Sequence, residues 1–142
     1  MKAPSIFAAA IALAASGLGA CAAVPTTPAG AWPAETPVPL GQAVRVGGMT
    51  VTPLRVAEDS RCPMNARCVW AGRLIVQTRI DGDGWRETAN LTLGQIYSTH
   101  SQMLALAAVV PEKRTDHQIE PREYRFTYER RDDRFGGPPP AP

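Results

Sequence analysis

An all-β fold of about six strands is what this sequence predicts, and three observations carry the prediction. Apolar and polar residues alternate from Trp70 to Ile80, the turn-forming run Asp81-Gly82-Asp83-Gly84 follows at once, and Tyr124, Phe126 and Tyr128 repeat the alternation near the end of the chain. Successive side chains of an extended backbone point to opposite sides, so a period of two marks a strand with one face on a core.

Taken in order, the elements begin with a short strand near Ala43 to Val46. In the next segment Met49 and Val51 occupy odd positions while Leu54 and Val56 occupy even ones. The apolar phase therefore slips around Pro53, which predicts a bulge or an edge position, because proline has no N–H to give to a ladder. From Trp70 to Ile80, Trp70, Leu74, Val76 and Ile80 share one face with Gly72 and Thr78. Arg73, Gln77 and Arg79 share the other, with Ile75 the single apolar exception. The Asp-Gly-Asp-Gly turn accepts positive backbone angles, and Trp85 to Leu93 reads as the return strand of a β-hairpin. Leu104, Leu106, Ala108 and Val110 alternate up to Pro111, in a run rich enough in alanine to suit a short helix as well. Tyr124, Phe126 and Tyr128 alternate with Arg125, Thr127 and Glu129 in the last strand. A small sandwich resembling the immunoglobulin class fits these elements best, with a small β-barrel as the alternative.

At 142 residues the chain has room for one domain, expected over residues 40–130, with extended ends. Its formal net charge is +2, to which Lys2 contributes. Nucleic-acid binding needs a basic excess to neutralise phosphates and release counterions, and this near-neutral chain lacks one.

Met1-Lys2 and the apolar stretch from Ser5 to Leu18 form a positively charged start followed by a segment too short to span a bilayer. The stretch ends in Leu18-Gly19-Ala20-Cys21, which resembles the lipobox of bacterial lipoproteins. Small residues let the extended chain enter the peptidase, and the thiol accepts the lipid. The resemblance implies a signal peptide over 1–20, a diacylglyceryl group on the Cys21 sulfur, cleavage before Cys21 and acylation of the new amino terminus. Ala22 lacks the aspartate associated with inner-membrane retention, so the expected address is the cell envelope, on the outer membrane. Two or three acyl chains, at about 0.8 kcal/mol per buried methylene, make such an anchor effectively permanent. Residues 22–39 are dominated by Pro, Ala and Thr and read with Cys21 as a lipid-anchored spacer (21–39), long enough to hold the domain on the order of 50 Å from the lipid. Residues 131–142 read as a disordered tail.

Glu58 to Gly72 (EDSRCPMNARCVWAG) holds the two cysteines that remain once Cys21 is lipidated. An oxidising compartment and an even count predict a Cys62–Cys68 disulfide. The alternative is a metal site, with the thiolates joined by His100 and His117, although no paired ligand motif is present and no metal or other cofactor is expected. Asp59 and Ser60 suit backbone hydrogen bonds, Pro63 suits a turn, and Trp70 is expected to pack on the sulfur pair as its strand enters the core. The functional expectation is that the staple presents Arg61, Met64, Asn65 and Arg67 as a rigid loop for an envelope protein or a small ligand, lowering the ordering cost of binding. The run Asp59-Ser60-Arg61-Cys62-Pro63, with Cys68 and Trp70-Ala71-Gly72, also resembles a signature of uncharacterised secreted and lipid-anchored bacterial proteins. That resemblance implies an envelope module and carries no activity.

Ser60, Ser98 and Ser101 lack a Gly-x-Ser-x-Gly setting, and neither histidine has an acid partner at a telling spacing. The run from Asp81 to Gly84 is no calcium loop, because Thr92 stands where a bidentate Glu would be required. Asn90-Leu91-Thr92 matches a glycosylation acceptor that means little in a bacterial setting. The charged connection Glu112 to Arg122 is a candidate second half of the binding face, with His117 as a pH-sensitive member. His100 and Tyr97, in the connection Gly94 to Gln102, are further candidates. No enzyme is expected.

Overall fold

The computed structural model describes residues 30–132. The expected signal peptide, Cys21, the first part of the spacer and the tail from residue 133 lie outside the described residues.

Among the described residues alternation becomes pairing in seven strands: β1 (Val44–Val46), β2 (Met49–Asp59), β3 (Leu74–Gly82), β4 (Trp85–Thr92), β5 (Ile96–Thr99), β6 (Gln102–Val110) and β7 (Arg125–Arg131). They form two antiparallel sheets, in the order β1-β2-β3-β4 and β5-β6-β7, and the sheets are not closed into the barrel kept as an alternative. The expectation of about six strands misses β5, whose four residues are too few to show a period. Among the described residues a single 3-10 turn, Pro121–Glu123, lies in the connection between β6 and β7, just before Tyr124. Among the described residues no helix is long and apolar enough to cross a membrane.

The hairpin β3-β4 follows the sequence pattern: Leu74, Val76, Thr78 and Ile80 are buried while their neighbours are half-exposed. Its turn is Asp83-Gly84, with Gly84 at φ +75°. In β2 the register slips between Pro53 and Arg55 and again between Val56 and Glu58. The first slip is the bulge expected near Pro53. β1 pairs only with Met49 to Val51, so Pro53 also faces an edge where its missing N–H leaves no ladder bond unmade.

Two expectations fail for one reason, which is that parity counts only while a strand stays regular. β6 is a strand and not a helix, but its register shifts between Leu106 and Ala108, so Val109 is buried while Ala108 and Val110 are exposed, the reverse of the expected phase. β3 begins at Leu74, so Trp70 and Gly72 never reach the core face.

Both sheets contribute to one core, including Val51, Val76, Ile80 and Leu91 from the first and Leu104, Leu106, Phe126 and Tyr128 from the second. The Tyr128 hydroxyl lies 3.0 Å from Thr78 Oγ1 and joins the sheets across it. Burial drives the Tyr128 phenol well above its ordinary pKa.

Residues 32–39, expected to belong to the spacer, are part of the folded unit. Trp32 bridges to Val44 in parallel and Val38 bridges to Phe126, so this segment covers the seam between the β1 edge and the β7 edge. Val38 is fully buried, which stabilises the docked segment as a tether could not be stabilised. At the other boundary β7 runs to Arg131, one residue into the expected tail.

Antiparallel connectivity gives the molecule two ends. One carries the tight turns Gly47-Gly48, Asp83-Gly84 and His100-Ser101. The other carries the long connections between β2 and β3 and between β6 and β7.

Candidate binding surface

At the loop end the chain continues the β2-β3 pairing beyond the strands. The Ser60 N–H donates to Arg73 O at 2.8 Å and the Cys62 N–H to Ala71 O at 3.0 Å, so residues 60–73 form a narrow arm. The Cys62–Cys68 disulfide is present and clips its tip. Pro63 opens a turn closed by the Ala66 N–H on Pro63 O. Gly72, at φ +68°, makes the arm narrow: a Cβ there would stand 1.8 Å from Ser60 O. With Cys62 and Cys68 replaced by serine, the chain is expected to lose about 2 to 2.5 kcal/mol of unfolding free energy, the chain-entropy value for so short a loop. Urea unfolding with and without reductant checks this, since only the parent should respond to reductant.

The β6-β7 connection braces the arm. Met64 N–H donates to Lys113 O at 2.9 Å, and Asn65 reaches Thr115 twice, accepting from its N–H and donating to its hydroxyl, both at 2.9 Å. The Lys113 ammonium donates to Asp59 O at 2.8 Å. At the base of the arm the Asp59 carboxylate accepts from Arg61 Nε and Nη2 and from the Tyr124 hydroxyl, each at 2.8 Å. Only 15% of the Arg61 side chain and 10% of the Asp59 side chain are exposed. Burial works against the Asp59 charge, yet the bonds from Arg61 and Tyr124 outweigh it and hold the carboxyl below its ordinary range. Burial first, and then the Asp59 carboxylate, push the Tyr124 phenol up to about 12.

The four residues expected to form the binding loop therefore divide. Arg61 is locked in a two-pronged ion pair and Asn65 is spent on Thr115, so both build the arm. Met64 is 61% exposed, and Arg67 is exposed and makes no hydrogen bond or ion pair among the described residues. Val69 and Trp70, which the sequence reading sent toward the core or passed over, are the most exposed large apolar side chains of the arm, at 91% and 81%. Their adjacency was the available signal: neighbours in an extended chain cannot both face one core. Beside Trp70, an open groove of about 570 Å³ runs along Cys68, Gly72, Ser60 and the Glu58–Arg73 ion pair. A hydrogen bond from Ser60 and the Arg73 guanidinium lower the Glu58 carboxyl against its own desolvation.

The other candidates separate. His117 is exposed at the loop end, with Nε2 3.0 Å from Glu123 Oε1. The Glu120 N–H and His117 together hold the Glu123 carboxyl low against desolvation. His100 lies at the opposite end, in the β5-β6 turn with φ +44°, stacked on Trp85 with ring centroids 3.9 Å apart. Tyr97 stands near Glu87, with its phenol raised by desolvation and by that carboxylate. The alternative metal set is thus not assembled, because both sulfurs are in the disulfide and the two histidines occupy opposite ends. Among the described residues no three His, Cys, Asp or Glu side chains gather as a metal site would require.

No protein-family model, no curated protein and no solved structure matches this chain.

Proposed function

We propose that this chain is a lipid-anchored protein of the bacterial cell envelope, held on the outer membrane through Cys21, and that its β domain is a non-catalytic binding module acting through the loop end. The observation that carries the reading is the placement of Leu18-Gly19-Ala20-Cys21 directly after a short apolar segment with a positive start. The Cys62–Cys68 disulfide agrees with an oxidising compartment. The exposed apolar side chains on a braced arm agree with binding, since a surface ordered in advance loses little entropy on contact. For the fold, two sheets over one core support an immunoglobulin-like sandwich, although the strands follow sequentially without the Greek-key connection of that class.

The test is growth with a radioactive fatty acid. The parent chain is expected to take up label and to remain with the membranes, and Cys21→Ser to lose both label and retention. A parent chain that stays unlabelled would overturn the reading.

A further inference from the structure

The arm that carries Val69 and Trp70 points to an occupant. Three arginines, Arg61, Arg67 and Arg73, and no acidic residue lie within residues 60–73. Arg61 and Arg73 are neutralised by Asp59 and Glu58, which leaves Arg67 as the cation beside the exposed apolar pair. A tryptophan and an aliphatic side chain with an arginine close by match the lipid–water interface, where indole rings settle at headgroup level and cations meet phosphates. The disulfide and the brace from residues 113–115 hold these side chains out from the domain.

The chain leading to the anchor favours the same end. Trp32 pairs in parallel with β1, and β1 runs toward the Gly47-Gly48 turn, so Gly30 and Ala31 lie on the loop-end side of Trp32. Gly30 is held to the folded unit through its carbonyl, which accepts from the Gln42 side chain. Residues 22–29 separate it from Cys21, and nine steps of chain reach about 30 Å at most. Pro53 and Gly41 are hydrogen-bonded neighbours, which places Gly30 close to the level of Pro53. From Pro53 to the end of β2 at Asp59 is roughly 20 Å, and the arm extends beyond it. The reach of the anchor and the reach of the arm are therefore similar.

We infer that Val69 and Trp70, with Arg67, dock into the headgroup region of the membrane to which Cys21 anchors the chain, so that the domain lies against the bilayer instead of swinging above it. This rests on the lipid-anchor reading and names the partner of the same loop end.

The experiment uses the processed full-length protein, purified from membranes and reconstituted in vesicles of phosphatidylcholine and phosphatidylglycerol, with and without bromine on the acyl chains. The chain has three tryptophans, so docking of Trp70 is expected to remove about a third of the emission in brominated vesicles. W70F should abolish that quenching and still float with the vesicles, and a Val69→Ser/Trp70→Ser variant should float equally and leave the arm open to protease. Equal emission in both kinds of vesicle, with the protein floating and carrying lipid, overturns the inference and leaves the anchor standing. A protein that neither carries lipid nor floats overturns both. Shielding of Trp70 that needs other envelope proteins overturns the inference in favour of a protein partner.

Discussion

Gly72→Ala is expected to lower the unfolding free energy by about 3 to 4 kcal/mol, the larger of the two principal effects. An alanine held at φ +68° carries about 1 to 2 kcal/mol of conformational strain. Its Cβ would also lie 1.8 Å from Ser60 O and 2.5 Å from Ser60 C, which are backbone atoms that cannot swing aside. Relief requires separating the two sides of the arm and giving up the bonds from Ser60 to Arg73 and from Cys62 to Ala71, each contributing about 1 kcal/mol. Gly94→Ala isolates the first contribution, because Gly94 has φ +79° with nothing within 4 Å of a built Cβ. Urea midpoints should therefore fall about twice as far for Gly72→Ala as for Gly94→Ala, and only the former should expose residues 60–73 to proteolysis. Equal losses would show that the close approach to Ser60 contributes nothing.

The same glycine shows how far this fold can be read from one sequence. The β3-β4 hairpin was legible because alternation and turn chemistry agree from Leu74 to Leu91. Alternation also runs on from Leu74 back to Trp70, and parity alone places Trp70 in the core. The positive φ of Gly72 turns the chain where parity cannot register it, and Trp70 ends at the surface. β6 misleads in the same way at Ala107, where a bulge exchanges the buried and exposed faces. Pro53 was the exception, since a missing N–H announces a bulge in the sequence itself. Of the candidate site, the disulfide was legible from the cysteine count and the expected compartment. The brace was not, because Asn65 and Thr115 stand fifty positions apart and their polar groups look solvated in isolation. Arg61 was placed among binding residues because an arginine in a loop is usually exposed, and here Asp59 and Tyr124 hold it at the base of the arm.

Asp59→Ala is expected to destabilise the domain by about 3 kcal/mol, the lower end of the range for removing one partner of a buried ion pair. Arg61 would keep its charge with only the distant carbonyl of Pro111, at 3.4 Å, to accept from it, and the Tyr124 hydroxyl would lose its acceptor. The pH dependence separates this network from simple packing. Because the Asp59 carboxyl is lowered in the folded chain, its contribution is complete above the unfolded value of about 3.9 and is lost as pH falls through the lower folded value. Tyr124 acts with the opposite sign: its pKa is raised to about 12, so its contribution is complete below about 10 and is lost as pH rises from there toward 12. Urea unfolding from pH 2 to 7 should show the parent losing stability below about 4, while Asp59→Asn, less stable at pH 7, shows a shallower acid limb. Tyr124→Phe removes one donor, so the acid limb should move to higher pH as the Asp59 carboxyl returns toward its ordinary value. Parallel profiles for the parent and Asp59→Asn would place the acid sensitivity in other carboxylates and leave Asp59 with a packing role alone.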